Sequence, residues 1–433
     1  MVFKALFELF GKGRQEAVTP LGSAKVDIPA VQSHGRPRRA LVREEILDTR
    51  CRIGGYRYRP ADGRIGAEDY REALDLSERV QSFAETRLAV IHLEPDQWGD
   101  ADFAGLVGRN TFFELPLTGQ TAGDADWLDR VARIRATGAG VALALEAGQI
   151  PVPAMQDASL VFVDIEGQAM ADFESQMRIV KRDLPVAKIA VRGVTRWSEQ
   201  RYCLSLGAAY LLGDFVDAPD DEVAKKEISE SRNIIMEMLN MMRQDAELKD
   251  LAGVAKRDPA TSLQLLTMAN SPLSGFTRQV ASIDQAIMAL GRDALYRWLT
   301  MTLFRAGGAS PRMDALLEHA LYRGRFLELM GAERFPKTTC DELFLLGLLS
   351  YTDVLLDLPM RDVLQRMQVV DEVRTVLLSG EGRLAPYLEL VMSLQRGAHA
   401  RIAALCDAIG VDEMRITELH TTALDWSSTM VDQ

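Results

Sequence analysis

The sequence predicts an α/β domain followed by an all-α domain: a trimmed (β/α)8 TIM-like barrel, then a helical bundle. Three observations carry this. Short apolar runs alternate with helical segments over residues 43–216, an acid-rich boundary follows at 214–232, and helical spacing continues from there to the end. The 433 residues suit two or three domains. At 47% hydrophobic and 26% charged residues, the composition is that of a folded globular chain. No apolar run approaches the ~18 residues of a membrane span.

Residues 1–42 read as a basic arm. Its first 40 residues hold seven Lys/Arg and three acids, a net of +4, against −16 for the rest. Pro20, Gly22, Pro29, Gly35 and Pro37 break any period. Phe3, Leu6, Phe7 and Phe10 share one helical face, which fits either weak membrane-surface contact or packing on the chain's own domain. No small-residue cleavage site follows, so it does not read as a secretory signal.

The barrel is expected over 43–216. Its apolar runs are Ile46–Asp48, Gly54–Tyr58, Leu88–Leu93, Thr111–Leu115, Val141–Leu145, Leu160–Ile165, Lys188–Val191 and Ala209–Leu212. Between them, Ala67–Glu85, Asp124–Thr137, Gln168–Lys181 and Ser198–Leu206 have helical spacing. That alternation implies βαβ units and a parallel sheet. The span is short beside the ~250 residues usual for eight such units, so trimmed loops or missing helices are expected.

Residues 217–232 read as an acidic helical linker, with Pro219 in a first turn and acids at the positive end of the helix dipole. Residues 233–433 then read as one helical domain. Ile234, Ile235, Met238, Leu239, Met241 and Met242 make a stripe expected to pack as core. Asp258-Pro259 is a cap with Pro in the first turn, Ser282 with Gln285 is a capping box, and Gly291 a left-handed stop. Further helices are expected at about 293–305, 311–331, 340–356, 360–366, 368–379, 383–395, 398–409 and 411–425.

Several chemistries are excluded early. A formal charge of −12 argues against a general nucleic-acid partner. Cys51, Cys203, Cys340 and Cys406 form no CxxC pair and suit a reducing, cytoplasmic setting. The five histidines form no HxH, HExxH or His-Asp pair. There is no GxSxG, P-loop or GxGxxG before a helix.

Two resemblances emerge from these residues. Asp258-Pro259, Leu265-Leu266, Ala269-Asn270-Ser271, Ala281-Ser282-Ile283, Gln285-Ala286-Ile287, Leu290-Gly291 and Phe344–Leu349 together resemble an HDOD domain over about 230–400. The strand order of 43–216 is similar to an EAL domain, the barrel family that hydrolyses cyclic-di-GMP. The resemblance implies a two-metal site of clustered carboxylates. Carried onto this sequence, the metal-binding Glu becomes Arg57, after Gly55-Tyr56, and the Asn ligand falls near His92. A third ligand survives as Glu114, and the paired Asp becomes Glu146-Ala147. The catalytic Lys falls at Phe162, a Glu becomes Arg192, and a Gln becomes Leu212. HD hydrolases need an adjacent His-Asp pair, and here Ser350-Tyr351 stands in its place, with His319 near an earlier family histidine.

The substitutions oppose the chemistry. Arg57 and Arg192 put fixed positive charge where two cations would sit. The expectation is therefore no catalytic residue, no metal and no cofactor, with Asp164 and Glu114 as strand-end structural residues. Two readings of the arginines stay open. Arg57, Arg59 and Arg192 would bind phosphate bidentately at the barrel mouth without metals, or they pair with Glu94, Glu114 or Glu146. A residual phosphodiesterase using His92, Glu114 and Glu146 is a third. The resemblance implies a signalling protein whose HDOD domain contacts kinases, cyclases or phosphodiesterases. The 270–285 loop, the helix after it and a buried Trp298 are candidate contact elements, and a homodimer is implied by the EAL likeness alone.

Overall fold

A computed structural model describes residues 41–60, 67–77, 79–94, 103–116, 125–152, 155–218, 220, 228–270, 280–306, 310–395 and 399–431. The basic arm up to residue 40, most of the acidic linker and residues 271–279 of the candidate contact loop lie outside them. The chain divides into two compact units. Among the described residues, one comprises 41–220 with 386–421, the other 228–385 with 422–431. Residues 386–421, read from sequence as part of one helical domain over 233–433, thus group with the barrel.

The first unit is a closed barrel of eight strands in sequence order. They are β1 (Leu41–Leu47), β2 (Ile53–Pro60), β3 (Leu88–His92), β4 (Thr111–Pro116), β5 (Gly140–Leu145), β6 (Leu160–Asp164), β7 (Lys188–Arg192) and β8 (Tyr210–Leu211). Each of the eight apolar runs lies on one of them. The expected all-parallel sheet needs one correction: β1 runs antiparallel to β2 and to β8. The cause is local. Asp48 accepts from the backbone N–H groups of Arg50 (2.8 Å) and Arg52 (3.0 Å). Cys51 adopts φ 60° in the same turn. That tight turn closes a hairpin, whereas a parallel crossover needs about a dozen residues.

Five α-helices lie between strands among the described residues. They are α1 (Ala67–Glu72), continued by a π turn at Ala73–Ser77, then α2 (Val80–Ala84), α3 (Ala125–Ala136), α4 (Met170–Asp183) and α5 (Trp197–Ser205). The single helix expected over Ala67–Glu85 is interrupted at Arg79, whose φ of 46° is left-handed. Alternate strand residues fill the barrel: Ile46, Leu88, Val90, Ala142, Leu160, Phe162, Ala190 and Leu212 form one buried cluster.

The second unit holds α6 (Glu230–Arg243), α7 (Leu248–Ala255), α8 (Pro259–Ala269), α9 (Ile283–Leu290), α10 (Arg292–Arg305), α11 (Pro311–Gly331), α12 (Lys337–Leu349), α13 (Thr352–Leu356), α14 (Met360–Arg366) and α15 (Asp371–Ser379). Met236, Met238 and Met242 are core, as is Trp298. The caps are where the residue types put them. Asp258 accepts from Thr261 N–H, Ser282 accepts from Gln285 N–H, and Gly291 has φ 74°. Asn270 donates to the Val280 carbonyl and accepts from the Val280 N–H. The helix expected at 340–356 breaks at Ser350-Tyr351.

Gly55 shows how tightly β2 meets β3. A Cβ there would lie 2.0 Å from the Leu88 carbonyl oxygen, whereas one on Gly54 has nothing nearer than 3.5 Å. Gly55→Ala is expected to destabilise the barrel by about 1–3 kcal/mol through overpacking. Gly54→Ala is expected to be neutral or stabilising by a few tenths. Urea denaturation followed by intrinsic fluorescence compares the two.

Candidate functional site

The barrel's alternation places the site. On β2, β3, β4, β6 and β7 the inward row ends, at the carboxyl edge, in a polar residue: Arg57 and Arg59 on β2, His92 on β3, Glu114 on β4, Asp164 on β6 and Arg192 on β7. Register then pairs them. Glu44 lies opposite Arg57, His92 opposite Glu114, and Asp164 opposite Arg192.

The result is a chain of charge-assisted hydrogen bonds from Arg59 to Glu94, with a separate Arg192–Asp164 pair beside it. Arg57 donates from Nε (2.5 Å) and Nη2 (2.7 Å) to the two oxygens of Glu114. Its Nη1 donates to Glu44 at 2.7 Å. Arg59 donates to the other Glu44 oxygen at 2.8 Å. His92 lies between Glu114 and Glu94, 3.0 Å from each. Arg192 grips Asp164 bidentately at 2.8 and 2.6 Å. Phe162 sits under both guanidinium groups, 5.5 Å from Arg57 and 5.8 Å from Arg192. A cavity of about 860 Å³ opens above, lined by Glu44, Arg57, Arg59, Asp164, Arg192 and Gln395 among others.

Burial shapes these charges. It opposes ionisation of Glu114, but the Arg57 and His92 partners outweigh it and hold the carboxyl well below its ordinary range. Glu44 is likewise held down by Arg57 and Arg59 against burial. Burial also disfavours the His92 cation, yet Glu114 and Glu94 raise its pKa above the ordinary value.

Each residue singled out in the sequence can now be placed. Arg57, Arg59, His92, Glu114, Phe162 and Arg192 converge. Glu146 does not: it is exposed on the turn after β5, where its backbone N–H donates to Gln149, while the adjacent, exposed Ala147 lines the mouth cavity. Leu212 is buried in the barrel core. Arg57 takes the expected Glu114, but Arg59 and Arg192 pair with Glu44 and Asp164 rather than Glu94 or Glu146. Glu44 was missed. The signal was present: it lies two residues before the inward Ile46, and a longer β1 would have found it.

Two divalent ions do not fit this donor set. Both Glu114 oxygens already accept from a guanidinium that stays charged, and Arg192 covers Asp164. Among the described residues, no group of three or more His, Cys, Asp or Glu is placed to hold a metal.

The helical unit repeats the motif. Gly324 of α11 and Gly347 of α12 face each other; a Cβ on Gly347 would lie 2.5 Å from Gly324 N, so only glycine permits this approach. The contact brings buried Arg323 onto Ser350 (2.8 Å) and the Tyr351 hydroxyl (2.7 Å), with its Cζ 3.9 Å from the Tyr351 ring centre. His319 packs edge-on against Tyr351 at 6.2 Å. The Ser350-Tyr351 pair, carried over from the resemblance as the His-Asp position, is thus held by the Arg323 guanidinium.

Residues 228–368 match the HDOD domain family model. The helical unit carries an HDOD domain, and the barrel has the closed eight-stranded form expected from the EAL resemblance. The chain is 27% identical over 200 residues to YuxH of Bacillus subtilis, covering 45% of this chain and 48% of that protein. It is 23% identical over 222 residues to the cyclic di-GMP phosphodiesterase CdgJ of Vibrio cholerae, covering 51% of each. It thus spans about half the length of these curated relatives. The EAL domain of Mycobacterium smegmatis DcpA aligns with 40% of this chain and 88% of that one, at 14% identity and a TM-score of 0.34.

Removing one partner of a buried ion pair strands the other, at a cost of about 3–5 kcal/mol. Arg57→Met is expected to lose that much stability, and adding Glu114→Gln to recover part of it, measured by urea denaturation of the full chain. His92 gives a pH signature. Its raised pKa contributes stability that is fully present below its ordinary 6.5 and lost as pH rises through the folded value. Stability should therefore fall above pH 6.5 in the native chain, and less in His92→Gln.

Proposed function

We propose that this chain is a non-catalytic component of cyclic-di-GMP signalling, acting through protein contacts of its HDOD domain. The partner class is a kinase, cyclase or phosphodiesterase. One observation carries the reading: the Arg57 guanidinium lies on both oxygens of Glu114, where the EAL resemblance implies a cation. Two-metal hydrolysis needs open oxygen donors to activate water and to stabilise the leaving oxygen. Here the carboxylates at the barrel mouth are committed to arginines. Phe162 supplies neither a proton nor a ligand. The helical half adds support, since Arg323, Ser350 and Tyr351 offer no metal-binding pair. The name of CdgJ points to the same signalling chemistry in a relative.

The cavity at the mouth favours one other reading, a metal-free sensor of a cyclic dinucleotide through Arg57, Arg59 and Arg192. Against it, both forks that would grip phosphate bidentately already hold carboxylates. Arg59 is the more open cation, with its side chain 39% exposed.

The full chain is expected to leave cyclic-di-GMP intact in the presence of magnesium or manganese. Turnover that disappears in Glu114→Gln would overturn the proposal. Calorimetry with cyclic-di-GMP separates the sensor: heat of binding abolished by Arg59→Ala would favour it.

A further inference from the structure

The hairpin that reverses β1 leaves a gap in the barrel wall. A crossover helix would normally cover the outer faces of the two strands it joins, but the turn at 48–52 has none. Since Glu44 and Arg57 point inward, Arg43, Tyr56 and Tyr58 point outward by the period of two. Tyr56 and Tyr58 are nonetheless only 2% exposed. Phe83 of α2 covers one side, with its ring 5.4 Å from Tyr56 and 6.4 Å from Tyr58.

The remaining cover comes from the far end of the chain. The elements are α16 (Ala385–Gln395), α17 (His399–Ile409) and the part of α18 (Glu413–Val431) up to Thr421, which group with the barrel. The buried His420 ring lies 5.2 Å from the Tyr56 ring. Two residues earlier, Glu418 accepts from Arg79 at 2.6 Å, on the residue whose left-handed backbone starts α2. Burial, together with Arg43 and Arg87, holds the His420 pKa well below its ordinary value. Glu389 of α16 pairs with Arg401 of α17 at 2.5 Å, joining the two helices. At the end of α16, Gln395 lines the mouth cavity beside Glu44, Arg57 and Arg192.

We infer that residues 386–395 and 399–421 form a strap on the barrel, one end seated on the Tyr56 wall and the other walling the mouth cavity, so that its seating governs access to that cavity. The link is the hairpin itself. Its outer face carries the Tyr56 seat, and its inner face carries Glu44, Arg57 and Arg59. A strap released from Tyr56 frees β1–β2 to shift, which loosens the ion-pair chain and opens the mouth. This stands on the barrel's geometry and holds whichever ligand or partner the protein serves.

Hydrogen exchange of the full chain, with mass-spectrometric readout, tests it in His420→Ala and in the milder Glu418→Gln. Both variants are expected to raise exchange in 41–60 as well as in 386–395. Phenylglyoxal labelling of Arg57 and Arg192 should rise several-fold relative to exposed Arg135, and Gln395→Ala should raise that labelling with little change in 41–60. Faster exchange confined to 386–421, with 41–60 protected and arginine labelling unchanged, would overturn the strap. Should His420→Ala fail to fold, Glu418→Gln and Gln395→Ala carry the test alone.

Discussion

The barrel's interior chemistry depends on one buried pair, the Arg57 guanidinium on the Glu114 carboxylate. Glu114 is fully buried, so its charge survives only because Arg57 meets both oxygens and His92 meets one. Such a pair adds little net stability over an apolar pair of the same shape, but breaking it is expensive. It therefore acts as a constraint. Arg57 must stay on β2, facing inward, which fixes the register of the hairpin and places Glu44 and Arg59 beside it. Phe162 then has a cation on each side and packs under both.

The same solution appears on an unrelated scaffold. In the helical unit, the facing glycines Gly324 and Gly347 bring α11 and α12 close enough for Arg323 to reach Ser350 and Tyr351. In both halves a buried arginine engages the residues singled out from the resemblance: Arg57 holds Glu114, and Arg323 holds Ser350 and Tyr351. A guanidinium supplies fixed positive charge and directional donors, so it can hold such a site together structurally. It has no vacant coordination position and cannot activate water as a metal does.

Much of this was legible in the residues. Eight short apolar runs coincide with eight strands, because stretches that brief and rich in Val, Ile and Phe are too short for buried helices. Asp258, Ser282 and Gly291 marked helix ends because their chemistry at those positions is local. What was not legible was non-local. Nothing in the spacing of Ile46–Asp48 shows that β1 is reversed; that follows from Asp48 accepting two backbone N–H groups in a tight turn. Helical periodicity showed that 398–425 has an apolar face but not that part of it belongs to the barrel. Glu44 escaped notice because β1 was drawn too short. Asp164 was read as a strand-end structural residue, and it was its register against Arg192 that made it that arginine's partner.

Manganese titration of the full chain, followed by electron paramagnetic resonance, tests the central claim most directly. If guanidinium groups hold the cation positions, added manganese stays in the free-ion spectrum, and Glu114→Gln changes nothing. A stoichiometric pair of bound, magnetically coupled ions lost in Glu114→Gln would contradict the account.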